Sequence, residues 1–320
     1  MINPPRLLHL ASAAFIALLP STISAQEYPA KTIRFITSGV GSGADLLVRL
    51  MGAGISGPMG QQVVVENRGG LIGIETVVKA PPDGYTLLLQ GNVIWLLPLM
   101  QNVSYDVARD LSPITLAGST PNLIVVHPSL PAKTVKELIA IAKSKPGALN
   151  YSAAAPGNLS HLAGELLNAM GGINTVLVFY KSAGDALNAL VRQEVHLSFP
   201  VAGAVTPYLK SGRLRALAVT SAKPSILAPD LPTAAAAGLP GYEAETLYGT
   251  FVPAGTPSAI VDRLNRELVK FLNAADAKEK MLNAGIEISG TTREQAAAKI
   301  KTDLALWGKV IKDAGIRITE

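Results

Sequence analysis

The stretch that decides the fold is Thr32-Ile33-Arg34-Phe35-Ile36-Thr37-Ser38-Gly39-Val40-Gly41-Ser42-Gly43-Ala44-Asp45. It is typical of a β-strand followed by a glycine turn, and the apolar-periodic stretch from Leu46 predicts a helix. Glycines let main-chain N–H groups approach a ligand, and a helix start carries a partial positive charge. The turn therefore predicts an anion site that needs no basic side chain. A tight strand-to-helix turn without a ligand is the alternative.

The residue pattern of this turn argues against a dinucleotide or a nucleotide phosphate as the bound anion. Ala44 stands where a dinucleotide fingerprint requires its third glycine, and the Lys of a phosphate loop is missing. A carboxylate is the better candidate. The ligand-binding residues predicted here are Ser38, Gly39, Val40, Gly41, Ser42, Gly43 and Asp45, although Asp45 in a first helical turn also complements the helix dipole.

The first 25 residues have the layout of a secretory signal peptide. Arg6 precedes an apolar stretch from Leu7 to Pro20, and small and polar residues follow up to a predicted cleavage after Ala25. We therefore expect export to the periplasm, with an uncleaved membrane anchor as the alternative. The apolar stretch is short for a spanning helix.

Composition narrows the class of protein further. The chain has 28 basic and 23 acidic residues without a Lys/Arg-rich run, which argues against a nucleic-acid partner. It has no cysteine, so disulfides and thiolate metal sites are excluded. We expect no cofactor. A length of 320 residues suits two domains.

Strand and helix patterns alternate along almost the whole chain and predict an α/β fold with parallel strands and helical crossovers. We expect two doubly wound lobes that are joined by crossing strands and enclose a ligand cleft. The predicted boundaries are 26–122 plus 250–320 for lobe 1 and 123–249 for lobe 2. The crossing strands are predicted near 123–127 and 246–252.

In such lobes the ligand lies beyond the carboxyl ends of the strands, so the turns that follow them face the cleft. Several of these turns are rich in small residues, hydroxyls and helix N-terminal positions. Ordinary helix caps and a solvated lysine are the alternatives. The further ligand-binding residues predicted at these turns and on the second crossing strand are Gly91, Asn92, Ala154, Ala155, Gly157, Asn158, Ser160, His161, Tyr180, Lys181, Ser182, Ala183, Pro200 and Tyr248.

Segments along the whole mature chain resemble the substrate-binding receptors of tripartite tricarboxylate transporters, known as the Bug family. These segments are Tyr28 to Arg34, Val65 to Arg68, Ala80 to Leu87, Leu130 to Leu138, His161 to Glu165, Gly212 to Thr220, Leu239 to Glu243, Pro253 to Pro257 and Val261 to Asn265. The resemblance implies a periplasmic two-lobed receptor with the fold of type II periplasmic binding proteins, and we expect a monomer. It would close on a small carboxylate, which is a di- or tricarboxylate, an amino acid or an aromatic acid, and hand this ligand to a membrane permease, with no catalytic residues.

By position, the resemblance implies that residues in 38–44, 154–160 and 180–184 bind the carboxylate. The sequence departs from the usual family pattern inside these turns and beside them. Ser38, Gly39 and Val40 replace an aromatic residue and prolines, and Phe179 replaces a proline. Ser182 stands where a glycine is usual, and Leu247 where an aromatic residue is typical.

The competing interpretation is an exported hydrolase that acts on a carboxylate-bearing substrate. The mature histidines His127, His161 and His196 have no metal-ligand spacing, and no nucleophile elbow is present. Asp45 and Glu165 are the one carboxylate pair that this interpretation offers. A structural or adhesive exported protein is a third class, which predicts no ligand-dependent stabilisation.

Overall fold

The structure is a computed structural model that describes residues 28–154 and 156–318. The predicted signal segment and the predicted site residue Ala155 lie outside the described residues. In this range the strands are β1 (Ile33–Thr37), β2 (Val63–Asn67), β3 (Thr86–Gly91), β4 (Leu111–Pro121), β5 (Leu123–Val126), β6 (Asn150–Ala153), β7 (Val176–Phe179), β8 (Leu197–Ser198), β9 (Arg215–Val219), β10 (Glu245–Pro253) and β11 (Glu287–Ile288).

Helices connect most of the strands. They are α1 (Gly43–Met59), α2 (Gly70–Val78), α3 (Val93–Leu96), α4 (Val107–Asp110), α5 (Val135–Ser144), α6 (Leu159–Gly171), α7 (Ala183–Val191), α8 (Ala202–Lys210), α9 (Ser258–Leu272), α10 (Ala275–Asn283) and α11 (Arg293–Asp313). A short 3-10 turn, Leu97–Leu99, follows α3.

The strands form two sheets, and each is the centre of one lobe. The sheet of lobe 1 has the order β11-β4-β10-β3-β1-β2, and the sheet of lobe 2 has the order β7-β6-β8-β5-β9. Parallel pairs join β1 to β2 and β3 in lobe 1, and β6 to β7 and β8 in lobe 2. The predicted two-lobed α/β fold is confirmed. The sheets are mixed rather than parallel throughout, because β10 runs antiparallel to β3 and β4, and β5 runs antiparallel to β8 and β9.

The two predicted crossing strands belong to different sheets, β5 to lobe 2 and β10 to lobe 1. The chain passes from one sheet to the other at Asn122, between β4 and β5, and returns after β9. Thr220 ties the two passages together: its N–H and its hydroxyl donate to the Asn122 carbonyl at 2.9 and 2.8 Å, and its own carbonyl accepts from Ala244 N–H at 2.8 Å. A hydrogen-bonded pair of passages therefore connects the lobes. The lobe boundaries stay a prediction.

The hydrophobic core that covers one face of the lobe 1 sheet continues into lobe 2. Trp95 and Trp307 are buried in it beside residues of α5 and α6. The indole N–H of Trp95 donates to the Asp303 carboxylate at 3.2 Å, and Lys299 lies 2.5 Å from the same carboxylate. Helix α11 thus packs between the lobes on the side away from α1. A separate core between α1, α9 and the other face of the sheet completes lobe 1.

Candidate functional site

The first turn, residues 38–42, follows β1 and is held by its own hydrogen bonds. The Ser38 and Ser42 hydroxyl oxygens lie 3.0 Å apart, and the Asn67 amide donates to the Ser38 carbonyl at 2.8 Å. Ser42 caps α1 by accepting the Asp45 N–H at 3.1 Å. Gly41 takes a φ of 80°, in the left-handed region that favours glycine. The glycine pattern therefore forms the predicted strand–turn–helix unit.

The Asp45 carboxylate lies at the N-terminus of α1, where the sequence predicts a ligand anion. Its carboxylate accepts the Gly41 N–H at 3.0 Å and the Asn67 amide at 2.7 Å, and it pairs with Arg49 at 3.0 Å. These bonds hold the pKa of Asp45 below its usual value, with the Asn67 hydrogen bond as the largest cause. The Asp45 side chain is buried and ionised, so the N-terminus of α1 already contains a negative charge from the chain itself.

Tyr248 connects the first turn to strand β10. A Cβ on Gly43 would lie 2.6 Å from the Tyr248 hydroxyl oxygen, so the glycine makes this close approach possible. The same hydroxyl lies 3.4 Å from the Thr120 hydroxyl. Burial raises the pKa of Tyr248, which keeps the phenol neutral. Since alternate residues of a strand share a face, Thr246 lies on the same side of β10 as Tyr248.

Thr246 is one of the residues that line the lobe 2 cavity, a space of about 230 Å³ at the carboxyl ends of β6 and β8. Four of the predicted site residues meet there: Asn158, Ser160, Ala183 and Pro200. The other lining residues are Asn122, Leu159, Gly184, Ala186, Leu187, Ser198, Phe199, Val201, Ala204 and Thr246. None of these lining side chains is charged.

Three helices begin at the wall of the lobe 2 cavity. Leu159 and Ser160 open α6, Ala183 and Gly184 open α7, and Val201 is the N-cap of α8. N–H groups in a first helical turn have no partner inside the helix, so three helix starts at one wall bring such groups close to the cavity. Uncharged walls with convergent N–H donors suit one small anion.

The start of α6 repeats the arrangement of the first turn with a different charge. Asn158 caps the helix by accepting the His161 N–H at 3.0 Å, and His161 Nδ1 accepts the Gly157 N–H at 3.0 Å. Burial lowers the pKa of His161 to about 4, so its ring is neutral at physiological pH. The ring packs edge-on against Phe179, with centroids 5.3 Å apart. The position that Asp45 fills with a carboxylate therefore holds a neutral ring in lobe 2.

Asn122 adds a polar atom whose partner is not supplied by the described residues. Its side-chain amide donates to the Phe199 carbonyl at 2.6 Å, which fixes the orientation of the side chain. Its Oδ1 is buried and has no hydrogen-bond partner among the described residues. Asn122 is only 4% exposed and lines the lobe 2 cavity at the passage between the sheets. A buried acceptor of this kind requires a donor.

The remaining predicted residues lie around the cavity or are engaged elsewhere. Tyr180 and Lys181 follow β7 but do not line the cavity, and Ser182 caps α7 through the Asp185 N–H at 3.1 Å. Asn92 donates to the Glu245 carbonyl at 3.0 Å and so joins the end of β3 to β10. Gly91 pairs with Tyr248 in the sheet, and Ala154 follows the end of β6. The first turn and the lobe 2 cavity are neighbours along β10 rather than parts of one cavity.

Sequence reasoning missed several lining residues. Asn122, Ser198 and Thr246 stand in or beside apolar strands, where a single polar residue indicates a special environment. That signal is present in the sequence at Asn122, between Pro121 and Leu123. The lining role of Phe199 and Val201 depends on the path of the chain, which no local pattern gives.

No helix in 28–154 or 156–318 combines the length and apolar character needed to cross a membrane. In the same residues, no group of three or more His, Asp or Glu side chains is placed to hold a metal ion.

Two α/β lobes and a cavity at the carboxyl ends of the strands define a solute-binding protein. The sequence pattern described as tripartite tricarboxylate transporter family receptor matches residues 47–316. BugT of Bordetella pertussis is 32% identical over 326 residues, which cover 99% of this chain and 100% of BugT. The chain belongs to the tripartite tricarboxylate transporter receptor family.

Solved structures agree with this assignment. An R. palustris protein solved with adipate is 34% identical, with a TM-score of 0.73 over 91% of this chain and 99% of that one. MatC from Rhodopseudomonas palustris, solved with bound malate, is 26% identical, with a TM-score of 0.68 over 89% of this chain and 100% of MatC.

Proposed function

We propose that this protein is a periplasmic receptor that captures a small carboxylate at the lobe 2 cavity and delivers it to a membrane permease of the tripartite tricarboxylate type. The 1–25 segment directs export and is then removed, and the receptor works as a monomer without chemical turnover. Family membership and the relatives solved with adipate and malate support the carboxylate class.

The observation that carries the proposal is the meeting of three helix N-termini at an uncharged cavity. A hydrogen bond to a charged partner contributes about 1.5–3 kcal/mol net. Micromolar affinity needs about 8 kcal/mol beyond the association costs. Four such donors supply about 6–12 kcal/mol without an arginine, and exclusion of water on closure must supply the rest.

The unpaired side-chain oxygen of Asn122 adds one requirement to this proposal. A carboxylate has no hydrogen to donate, so Asn122 Oδ1 takes its hydrogen from a water molecule or from another group of the ligand. Because Asn122 lies at the passage between the sheets, a ligand that satisfies it also engages the connection between the lobes. Ligand contacts there favour one relative arrangement of the lobes over others.

The hydrolase interpretation has no support in the site. No histidine lines the lobe 2 cavity. His127 Nδ1 accepts the Ser129 N–H at 3.1 Å, His196 Nδ1 lies 2.7 Å from Asn150 Oδ1, and His161 Nδ1 is taken by Gly157. Each ring is used by its own local structure.

A thermal-shift screen against small carboxylates tests the proposal, because a ligand that binds only the native state raises its stability. Gly184 and Gly203 provide a matched pair of variants: each is the second residue of its helix, α7 or α8, and neither has a serious obstacle to a Cβ. Only Gly184 lines the cavity. We expect Gly184→Val to lose the ligand shift and Gly203→Val to keep it. Equal shifts in both variants would place the ligand elsewhere.

A further inference from the structure

A second cavity lies on the opposite face of strand β10 from the lobe 2 cavity. Thr246 lines the lobe 2 cavity, whereas its neighbours Glu245 and Leu247 line this second space of about 650 Å³. Successive residues of a strand point to opposite faces, so one strand separates the two spaces. We call the second space the hinge cavity, because its wall also includes residues 221–224, where the chain returns from the lobe 2 sheet. A movement of one sheet relative to the other therefore changes both cavities.

The hinge cavity collects charged side chains from several elements. They are Lys223, Glu243, Glu245, Glu287 and Lys299. Lys299 lies 2.5 Å from Glu243 and also 2.5 Å from the Asp303 carboxylate, so two carboxylates already share its charge. Glu245 is hydrogen-bonded to the Ser119 side chain on β4. In residues 28–154 and 156–318, no cation forms a salt bridge with Glu245.

Burial keeps Glu245 neutral over a wide range of pH. It is the largest cause that raises the pKa of Glu245 from 4.5 to about 7, and the negative charges of Glu243 and Glu287 act in the same direction. The hydrogen bond with Ser119 and the charge of Lys299 act against this rise. Ionisation of Glu245 adds a further negative charge to a partly buried space, which favours arrangements in which water reaches the carboxylate.

One hydrogen bond joins the segment that follows β9 of lobe 2 to the edge of the lobe 1 sheet. The Ser225 hydroxyl donates to the Glu287 carboxylate on β11, and Ser225 is only 2% exposed. The Leu227 N–H donates to the Ser225 hydroxyl oxygen at 3.1 Å, which orients the hydroxyl. Glu287 therefore holds the two lobes together and at the same time carries a charge that acts on Glu245.

We propose that the charge of Glu245 regulates ligand capture by setting the arrangement of the two lobes. A neutral Glu245 favours the described arrangement, in which Thr246 completes the lobe 2 cavity. An ionised Glu245 is repelled by Glu287 and disfavours this arrangement. The inference rests on the proposed function and adds the regulation of the same site. Because the ligand-binding arrangement keeps a proton on Glu245, ligand binding takes up a proton, and affinity falls as the pH rises through about 7.

Isothermal titration of the mature protein with malate and adipate tests the regulation, because the charge of these probes hardly changes between pH 6.5 and 8.5. We expect the affinity of the better probe to fall about fivefold or more over this range. The fall should be less than about twofold in Glu245→Gln, whereas Glu279→Gln, at an exposed position on α10, should keep it. An equal fall in Glu245→Gln, or no fall in the unaltered protein, overturns the inference and leaves the receptor function standing.

A measurement without ligand separates lobe movement from direct repulsion between Glu245 and a bound anion. The chain has no cysteine, so Asn188→Cys on α7 and Lys270→Cys on α9 provide two exposed labelling positions in different lobes. We expect energy transfer between two fluorescent labels to change between pH 6.5 and 8.5, and to stay constant when Glu245→Gln is added. Constant transfer in the protein that retains Glu245 would overturn the inference. If no carboxylate in the thermal-shift screen binds at either pH, the proposed function fails, while the energy transfer still confirms or overturns the lobe movement.

Discussion

His161 and Glu245 make the stability of this protein depend on pH in opposite directions. Burial lowers the pKa of His161 from 6.5 to about 4. The unfolded chain therefore binds the extra proton between these values, and His161 costs stability as the pH falls. Burial raises the pKa of Glu245 from 4.5 to about 7, so the native state keeps a proton that the unfolded chain releases, and Glu245 costs stability as the pH rises.

The sizes of the two effects follow from the two shifts. One pKa unit corresponds to about 1.4 kcal/mol, so each group contributes at most about 2–3 kcal/mol between pH 4.5 and 7.5. Because the signs are opposite and the windows overlap, we expect the two contributions to cancel closely in the unaltered protein. Replacing either residue leaves the pH-dependent contribution of the other residue uncompensated.

Urea unfolding followed by the fluorescence of buried Trp95 and Trp307 measures these slopes at pH 4.5, 5.5, 6.5 and 7.5. His161→Asn keeps an acceptor for the Gly157 N–H, as Asp45 does for Gly41 in lobe 1. Relative to the unaltered protein, we expect its free energy of unfolding to fall by about 2–3 kcal/mol as the pH rises across this range.

Glu245→Gln should show the reverse slope, with stability falling as the pH falls, and the double variant should again match the pH dependence of the unaltered protein. Comparison with that protein removes the contribution of all other titrating groups. Slopes of the same sign in the two single variants, or no change in either, would refute the opposition of His161 and Glu245.

Two further changes test the packing of α1 and of the first turn. Gly54→Ala would place a Cβ 2.0 Å from the Phe271 ring, so we expect the free energy of unfolding in urea to fall by about 1–3 kcal/mol. In the control variant Gly57→Ala, on the same helix, the Cβ meets nothing within 4 Å, so this change should be neutral or stabilising. Unchanged or increased stability in Gly54→Ala would refute the packing contact, because helix propensity alone favours alanine over glycine. Asp45→Ala removes the buried acceptor of the first turn and should lower the free energy of unfolding in urea by about 2–3 kcal/mol. The same change at the exposed Asp185 should lower it by well under 1 kcal/mol. Equal costs would contradict the role of Asp45.

Local patterns were sufficient for the units whose hydrogen bonds are local. The glycine turn before α1 lies where the sequence predicts it, because caps and apolar periodicity act within a few residues. The Thr134 cap of α5, which accepts the Glu137 N–H at 3.1 Å, is equally local. In each case the residues that fix the element are its own neighbours.

Strand β4 was missed, although it pairs with both β10 and β11. Its sequence contains Pro113, Gly118 and several hydroxyl residues, which disfavour a strand on propensity alone. The pairing with β10 shifts register beside Pro113 and again near Gly118, so irregular ladder positions accommodate these residues. A Cβ on Gly118 would lie 2.7 Å from the Glu287 carbonyl, which shows that the glycine is needed by a partner strand far away in sequence.

The glycine turns were found from the sequence, but their unequal charge was not. Gly41 and Gly157 both have positive φ, and each donates its N–H to a side chain four residues later. In lobe 1 that acceptor is the ionised Asp45, which also pairs with Arg49. In lobe 2 it is the neutral His161, so the dipole of α6 stays available to a ligand. Two turns with the same geometry therefore differ in charge, and the residue four positions after the glycine sets that difference.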